Sequence, residues 1–259
     1  GAPRNTCSAC RNWPTGWKKG WKQLALDFTI EPTVSTGIGV EALFVGELAL
    51  LGPQKAPSGI RKSKVAGPQK ITRLGLQGDH QGDTKNHGGP EKAVHHYPRD
   101  HYAAWAAEGV EAAPAAFGEN ISTFGVTEAD ICIGDVYRLG TALLQVSQGR
   151  QPCWRLNARF ERHDMAFRVQ KSGRTGWYYR VIEEGTAEAG DRLRLERRPQ
   201  PHWPLIRIID LLYTRTLDMR ALAELAALPE LAQSWRTLAT RRIETHSVEN
   251  WDRRLRGAS

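Results

Sequence analysis

The sequence predicts a mainly β, α+β protein: a β-barrel carrying short helices, followed by a small C-terminal helical domain. Between residues 40 and 196, short apolar runs alternate with glycine- and proline-containing turns, with no regular alternation of strand and helix. That pattern argues for an antiparallel sheet or barrel. Past Pro204 the apolar residues recur at helical spacing instead. The chain has 259 residues, 40% of them hydrophobic and 25% charged, enough to build a core without disulfide staples.

Residues 1–33 read as a separate tail. Trp13, Trp17 and Trp21 stand four apart among Lys18, Lys19 and Lys22. This spacing suits a basic amphipathic helix, but Pro14, Gly16 and Gly20 interrupt it, so a flexible segment fits equally. Cys7 and Cys10 form a lone CxxC without the second pair that zinc sites usually need. The β domain, 34–200, has expected strands at 40–51, 66–76, 93–97, 135–139, 142–147 and 192–196, each an apolar run bounded by turn residues. Helices are expected at 102–108 and 154–162. Arg197-Arg198-Pro199-Gln200-Pro201 reads as a linker into a helical domain at 201–259. Its helices are expected at 205–213, 218–228, 231–242 and 248–255, with Asp218 as an N-cap that accepts from first-turn amides. These helices are expected to dock on the barrel or on a second copy in a homodimer.

Four irregularly spaced cysteines do not make a disulfide framework. No apolar run approaches the ~18 residues needed to span a bilayer, and the start lacks the apolar core of a secretory signal. A cytoplasmic protein with no membrane association is the expectation. The net charge of +8 favours anionic partners without naming them. Arg236, Arg241, Arg242, Arg253 and Arg254 are compatible with nucleic-acid binding, but charge runs on helices are more often solvated faces.

The densest polar cluster runs from Gly78 to Arg99 and holds Asp79, His80, Asp83, Lys85, His87, Lys92, His95 and His96 around Gly88-Gly89-Pro90. Glycines there permit positive φ and close backbone approach. The cluster is compatible with an anion site, a protein metal site or simply polar loops; its spacing matches no strong metal template. Phe117-Gly118-Glu119-Asn120 reads as a turn with an exposed carboxylate. In Ser147-Gln148-Gly149-Arg150-Gln151-Pro152-Cys153 a strand ends in a loop that presents an arginine and then a cysteine. A neighbouring arginine stabilises a thiolate, which is both a nucleophile and a soft metal ligand. A buried structural cysteine is the competing reading, and it suits Cys132 well. Arg174-Thr175-Gly176-Trp177-Tyr178-Tyr179-Arg180 could stack on a planar ring, or alternate between core and surface as a strand.

Taken in order, these pieces resemble the YiiM-like branch of the MOSC superfamily, relatives of the C-terminal domain of molybdenum cofactor sulfurase. The matching text is Gly59-Ile60-Arg61-Lys62, Leu76-Gln77-Gly78-Asp79, His87-Gly88-Gly89-Pro90-Glu91-Lys92-Ala93-Val94, His96-Tyr97-Pro98, Phe117-Gly118-Glu119-Asn120, Val146 through Cys153, and Gly176 through Val181. The chain departs from that pattern at Trp154, where relatives usually carry Tyr, and at Lys64, often Pro.

The resemblance implies a MOSC-type β-barrel with a small C-terminal three-helix domain, matched by residues 201–259, and a molybdenum cofactor (Mo-pyranopterin) ligated through the thiolate of Cys153. It places Lys62, Lys92 and Arg150 near the anionic cofactor, and Asp79, His87, His96 and Asn120 on the same pocket. An anion of that size also calls for backbone and guanidinium donors, supplied by Gly88, Gly89 and Arg180. The implied activity is reduction of small N-hydroxylated compounds such as hydroxylaminopurines, with electrons from a separate flavoprotein and His87 or His96 as proton donor. A second expectation uses the same thiol differently: a cofactor or sulfur carrier with a Cys153 persulfide.

Overall fold

The computed structural model describes residues 37–83 and 88–257. The expectations for residues 1–33, including Cys7, Cys10 and the three tail tryptophans, and those for His87, lie outside the described residues.

Nine strands form one curled mixed sheet, a half-barrel. Numbered along the chain, its order is β1 (Ile38–Gly39), β14 (Arg192–Arg197), β10 (Val136–Leu139), β11 (Ala142–Gly149), β12 (Trp177–Glu183), β8 (Val94–Pro98), β9 (Ile121–Thr123), β2 (Ala42–Val45) and β5 (Ser63–Val65). All neighbours are antiparallel except β8 and β9. Two small sheets complete the strands: β6 (Gln69–Thr72) between β13 (Gly185–Ala187) and β7 (Gly75–Leu76), and the hairpin of β3 (Ala49–Leu51) and β4 (Ala56–Ser58).

The strand expected at 40–51 is two, β2 and β3, because Gly46 has backbone packed where a side chain would stand: a Cβ there would lie 2.5 Å from the Gly59 carbonyl oxygen. The run 66–76 folds back on itself at Arg73-Leu74 into the β6–β7 pair. The Trp177–Glu183 segment is a strand, the structural reading of its alternating aromatics and arginines.

Between the strands lie α1 (Asp100–Ala107), α2 (Arg155–Phe160) and α3 (Met165–Ser172). α3 was not expected from the sequence. It ends at Gly173, whose φ of +71° is left-handed, the usual glycine helix stop. After the sheet come α4 (Leu205–Tyr213), α5 (Met219–Ala226), α6 (Gln233–Thr245) and α7 (Asp252–Arg256). Asp218 caps α5 as expected, its Oδ1 accepting from the Ala221 amide at 2.9 Å.

The apolar residues sort into two main clusters. One joins the sheet (Leu144, Val146, Trp177, Tyr179) to the later helices (Leu205, Ile208, Leu212, Leu222, Trp235). The other packs α1, α2, α3 and α7 around Tyr97, Trp105, Phe117, Leu156 and Leu255, with the Tyr97 and Phe117 rings stacked 4.1 Å apart. Each such side chain contributes about 1.5–3 kcal/mol on burial. The consequence for the site is rigidity: loops hung from these elements hold their side chains in place.

Candidate functional site

β11 carries an extra residue. Val146 pairs with Tyr179 and Gln148 with Tyr178, so Ser147 bulges out of register. A bulge bends a strand and re-aims the residues beyond it. Ser147 also donates its hydroxyl to the Glu91 carbonyl at 2.6 Å, which fastens the strand end to the 3₁₀ turn Pro90–Lys92. Arg150 and Cys153, past the bulge, and Lys92, on the turn, come to one cleft.

That cleft is lined by the end of β4 and the segment after it (Pro57, Ser58, Gly59, Ile60, Lys62), by Asp79–Asp83, and by Lys92, His95, Phe117, Gly118, Asn120, Arg150, Cys153, Arg155 and Tyr178. Its outer wall is made by two backbones in contact. A Cβ on Gly59 would lie 1.8 Å from the His80 carbonyl oxygen, and one on Gly82 2.1 Å from that of Pro57, so glycine is required at both. Counted together with its solvent-filled mouth, the cleft encloses about 580 Å³.

One wall is a buried polar network. Asp79 accepts from the Gly46 amide at 2.8 Å and from Asn120 Nδ2 at 2.9 Å, and it forms an ion pair with Lys62. Asn120 in turn donates to the Phe44 carbonyl and accepts from the His95 amide, both at 3.0 Å. Burial pulls Lys62 below the ordinary lysine value, outweighing the Asp79 carboxylate that raises it. Lys92 is lowered for the same reason, against the opposing pull of Asp83, Cys153 and Glu91. Arg150 Nη1 donates to the Phe117 carbonyl at 2.8 Å.

His95 is the buried histidine of the cleft. Burial first, then Arg150 and Lys62, hold its ring well below the usual histidine range, so it is neutral at pH 7. Its Nε2 is buried and has no hydrogen-bond partner among the described residues. An orphaned buried nitrogen of this kind costs about 1–3 kcal/mol unless something occupies the site.

Two family models match the chain: the MOSC domain over residues 83–194, and the YiiM-like 3-alpha helix domain over residues 203–246. Protein YiiM of Escherichia coli K12 is 40% identical over 210 residues, spanning 79% of this chain and 93% of that protein. The chain belongs to the YiiM-like branch of the MOSC family. A protein named "Reductase" from Gibberella moniliformis is 37% identical over 177 residues, 66% of this chain and 31% of that longer protein. The crystal structure of YiiM from Geobacillus stearothermophilus superposes with a TM-score of 0.69 at 31% identity, covering 80% of this chain and 99% of that one.

Against the MOSC expectations, Lys62, Asp79, Lys92, Asn120, Arg150 and Cys153 all line the cleft. Three other placements are corrected. His96 points to the far side of β8, where its ring is held between Tyr179 Oη at 3.0 Å and Thr123 Oγ1 at 2.8 Å. It is fully buried, and burial lowers its pKa to about 3, so it is not placed to donate a proton in the cleft. His95, its neighbour, faces the cleft instead, because side chains alternate along a strand. Arg180 is committed to Glu91 at 3.0 Å and Gln145 at 2.9 Å, away from the lining. Gly88 and Gly89 do not line the cleft; Gly89, with φ of +87°, starts the turn that delivers Lys92.

Glu119 is not an exposed carboxylate. It is fully buried, accepts from the Ala115 and Phe117 amides and from Tyr102, and burial raises its pKa. Sequence reasoning also left His80, Arg155 and Tyr178 unassigned. The signal for Tyr178 was present, since it sits one residue from the core positions Trp177 and Tyr179 and so takes the other face.

Proposed function

We propose that this MOSC protein binds a molybdenum cofactor through Cys153 and reduces small N-hydroxylated compounds, of the hydroxylaminopurine kind, to amines, with electrons from a separate flavoprotein. The observation that carries this reading is a buried cysteine in a cleft where four cationic side chains, Lys62, Lys92, Arg150 and Arg155, face two carboxylates, Asp79 and Asp83. A thiolate suits a sulfur-rich, soft coordination sphere, and the cationic excess suits the negative charge of a pyranopterin phosphate. His95, a neutral ring, lines the same cleft. The "Reductase" name of the Gibberella relative points the same way.

When bound, the cofactor supplies two-electron chemistry, by which an N-hydroxylamine, two electrons and two protons become an amine and water. The chain's own residues have narrower tasks. Cys153 anchors the group. Lys92 and Arg150 hold its negative charge, and the Asp79–Asn120 network keeps the wall behind them fixed. His95, neutral, orients by hydrogen bonding rather than by charge. His80, about half exposed at the mouth, is the cleft histidine with access to bulk water, and we assign it the delivery of protons. Cys153 is 7% exposed. A persulfide carrier must present its sulfur to another protein, so this burial favours the cofactor reading over the carrier.

The test is the metal content and N-hydroxyl reductase activity of protein made in cells that produce the cofactor. Near-stoichiometric molybdenum, lost together with activity in Cys153→Ala, is expected. Cyanide-labile sulfur without molybdenum would establish the carrier, and full retention of metal and activity by Cys153→Ala would end both readings.

A further inference from the structure

The loop that carries Cys153 is held from outside. Tyr213, at the end of α4, donates its hydroxyl to the Arg150 carbonyl at 2.7 Å. Arg254, in α7, donates from Nη1 to the Pro152 carbonyl and from Nη2 to Gln170 Oε1, the latter at 2.6 Å. The Arg254 carbonyl accepts from the Trp154 amide at 2.8 Å. Alternate residues 150, 152 and 154 are therefore each tied to the C-terminal helices, and Cys153, between the last two, lines the cleft.

α7 has only five residues and would not hold its place alone. Its anchors are apolar and polar together. Trp251 and Leu255 sit in the cluster with Leu156 and Val169. Asn157 donates to the Leu255 carbonyl at 2.8 Å and accepts from the Ala166 amide at 2.7 Å, which joins α2, α3 and α7 at one side chain. Arg254 is half-buried, and its two hydrogen-bonded nitrogens hold the guanidinium in a fixed geometry.

We propose that Arg254 is the positioning residue for the candidate molybdenum ligand: its guanidinium holds the Pro152 carbonyl while its main-chain carbonyl takes the Trp154 amide, and between these two ties the C-terminal helix sets where the sulfur stands. The clamp is a matter of geometry. It rests on the molybdenum reading only for the identity of what the sulfur binds. Lysine cannot reproduce it, because one ammonium lacks the planar fork that reaches Pro152 and Gln170 at once.

Hydrogen–deuterium exchange of the metal-free full chain tests the clamp, and molybdenum stoichiometry with the Mo(V) electron paramagnetic resonance spectrum of the loaded protein tests its consequence. In Arg254→Ala, amides of residues 150–157 are expected to exchange at least tenfold faster than in the parent, while β10 and β11 stay protected. Bound molybdenum should fall severalfold, and the remaining metal should give a mixture of Mo(V) signals instead of one. Arg254→Lys should lie between the two. Arg256→Ala, on the same helix but paired among the described residues only with exposed Asp252, should match the parent in every readout. If Arg254→Ala does not fold, Gln170→Ala, which removes the outer anchor, is expected to raise exchange in the same segment alone. Unchanged exchange at 150–157 in the folded Arg254 variants, or in Gln170→Ala where Arg254→Ala does not fold, overturns the proposal. A parent protein that binds no molybdenum overturns the cofactor reading while the exchange data still decide the clamp.

Discussion

Asn120 donates from Nδ2 to Asp79 Oδ2 at 2.9 Å, and through that bond the wall of the cleft is tied to β9. Asp79 also neutralises Lys62, whose side chain is 6% exposed. Removing one member of a buried pair leaves the other charged and desolvated, at a cost of about 3–5 kcal/mol. Asp79→Asn is therefore expected to lower the unfolding free energy of the metal-free protein by that amount, read as a lower urea midpoint at an unchanged m-value. Lys62→Met combined with Asp79→Asn should recover more than half of it, because the orphaned charge is then gone. Equal loss in the single and double variants would show that the Gly46 and Asn120 bonds, not the ion pair, carry the cost.

The His96 ring gives stability a defined pH dependence. Its folded pKa is about 3, below the ordinary value of 6.5, because it is buried without compensating charge. The unfolded chain therefore binds the extra proton first. His96's contribution is fully present above pH 6.5 and declines as pH falls from there toward 3, at about 1.4 kcal/mol per pH unit. His95 is lowered too and acts in the same direction. His96→Gln, compared with the parent by urea titration at pH 7 and pH 5, should cost stability at pH 7 but show a shallower loss on acidification. Parallel losses in the two proteins would mean that His96 is protonated in the folded state.

These two histidines also show where the sequence stopped being informative. Both stand in one strand that was legible from its apolar run, and alternation says that one of them faces the cleft. It does not say which, since β8 is buried on both faces and lacks the polar/apolar alternation that would decide. Cys153, Arg150 and Lys92 were legible because a strand end and a glycine turn deliver them. Arg180 was misplaced because Glu91, a long-range partner, claims it. The Ser147 bulge and the split of 40–51 were illegible for a similar reason: each is set by distant backbone, not by local residues. The interior of α4 through α6 was legible, since amphipathic spacing there faces a single core.

Arg150 separates charge from shape. Its Nη1 bond to the Phe117 carbonyl fixes the guanidinium against the turn that carries Asn120. Arg150→Lys keeps the charge and loses the fork, so the melting temperature should drop by only a few degrees. Arg150→Met also loses the charge. If the cleft binds an anionic cofactor, molybdenum content should fall about tenfold or more in Arg150→Met and distinctly less in Arg150→Lys. Equal metal content in both variants and the parent would remove Arg150 from the binding residues while leaving the fold assignment intact.

The last prediction concerns the helices after residue 200. Trp203, Leu205, Ile208, Ile209 and Leu212 belong to the same apolar cluster as Val146, Trp177 and Tyr179 of the sheet. A Cβ on Gly149 would lie 3.0 Å from the Trp235 ring, so β11 and α6 pack with no room between them. Losing these side chains would forfeit about 1.5–3 kcal/mol each, and five of them together are comparable with the stability of a whole domain, about 5–15 kcal/mol. Tyr213 would no longer hold the Arg150 carbonyl. A chain ending at residue 200 is accordingly expected to lose cooperative unfolding by calorimetry and to bind a hydrophobic dye strongly. A sharp transition near the parent's would mean that the half-barrel is stable by itself, and that the helices serve the cleft rather than the fold.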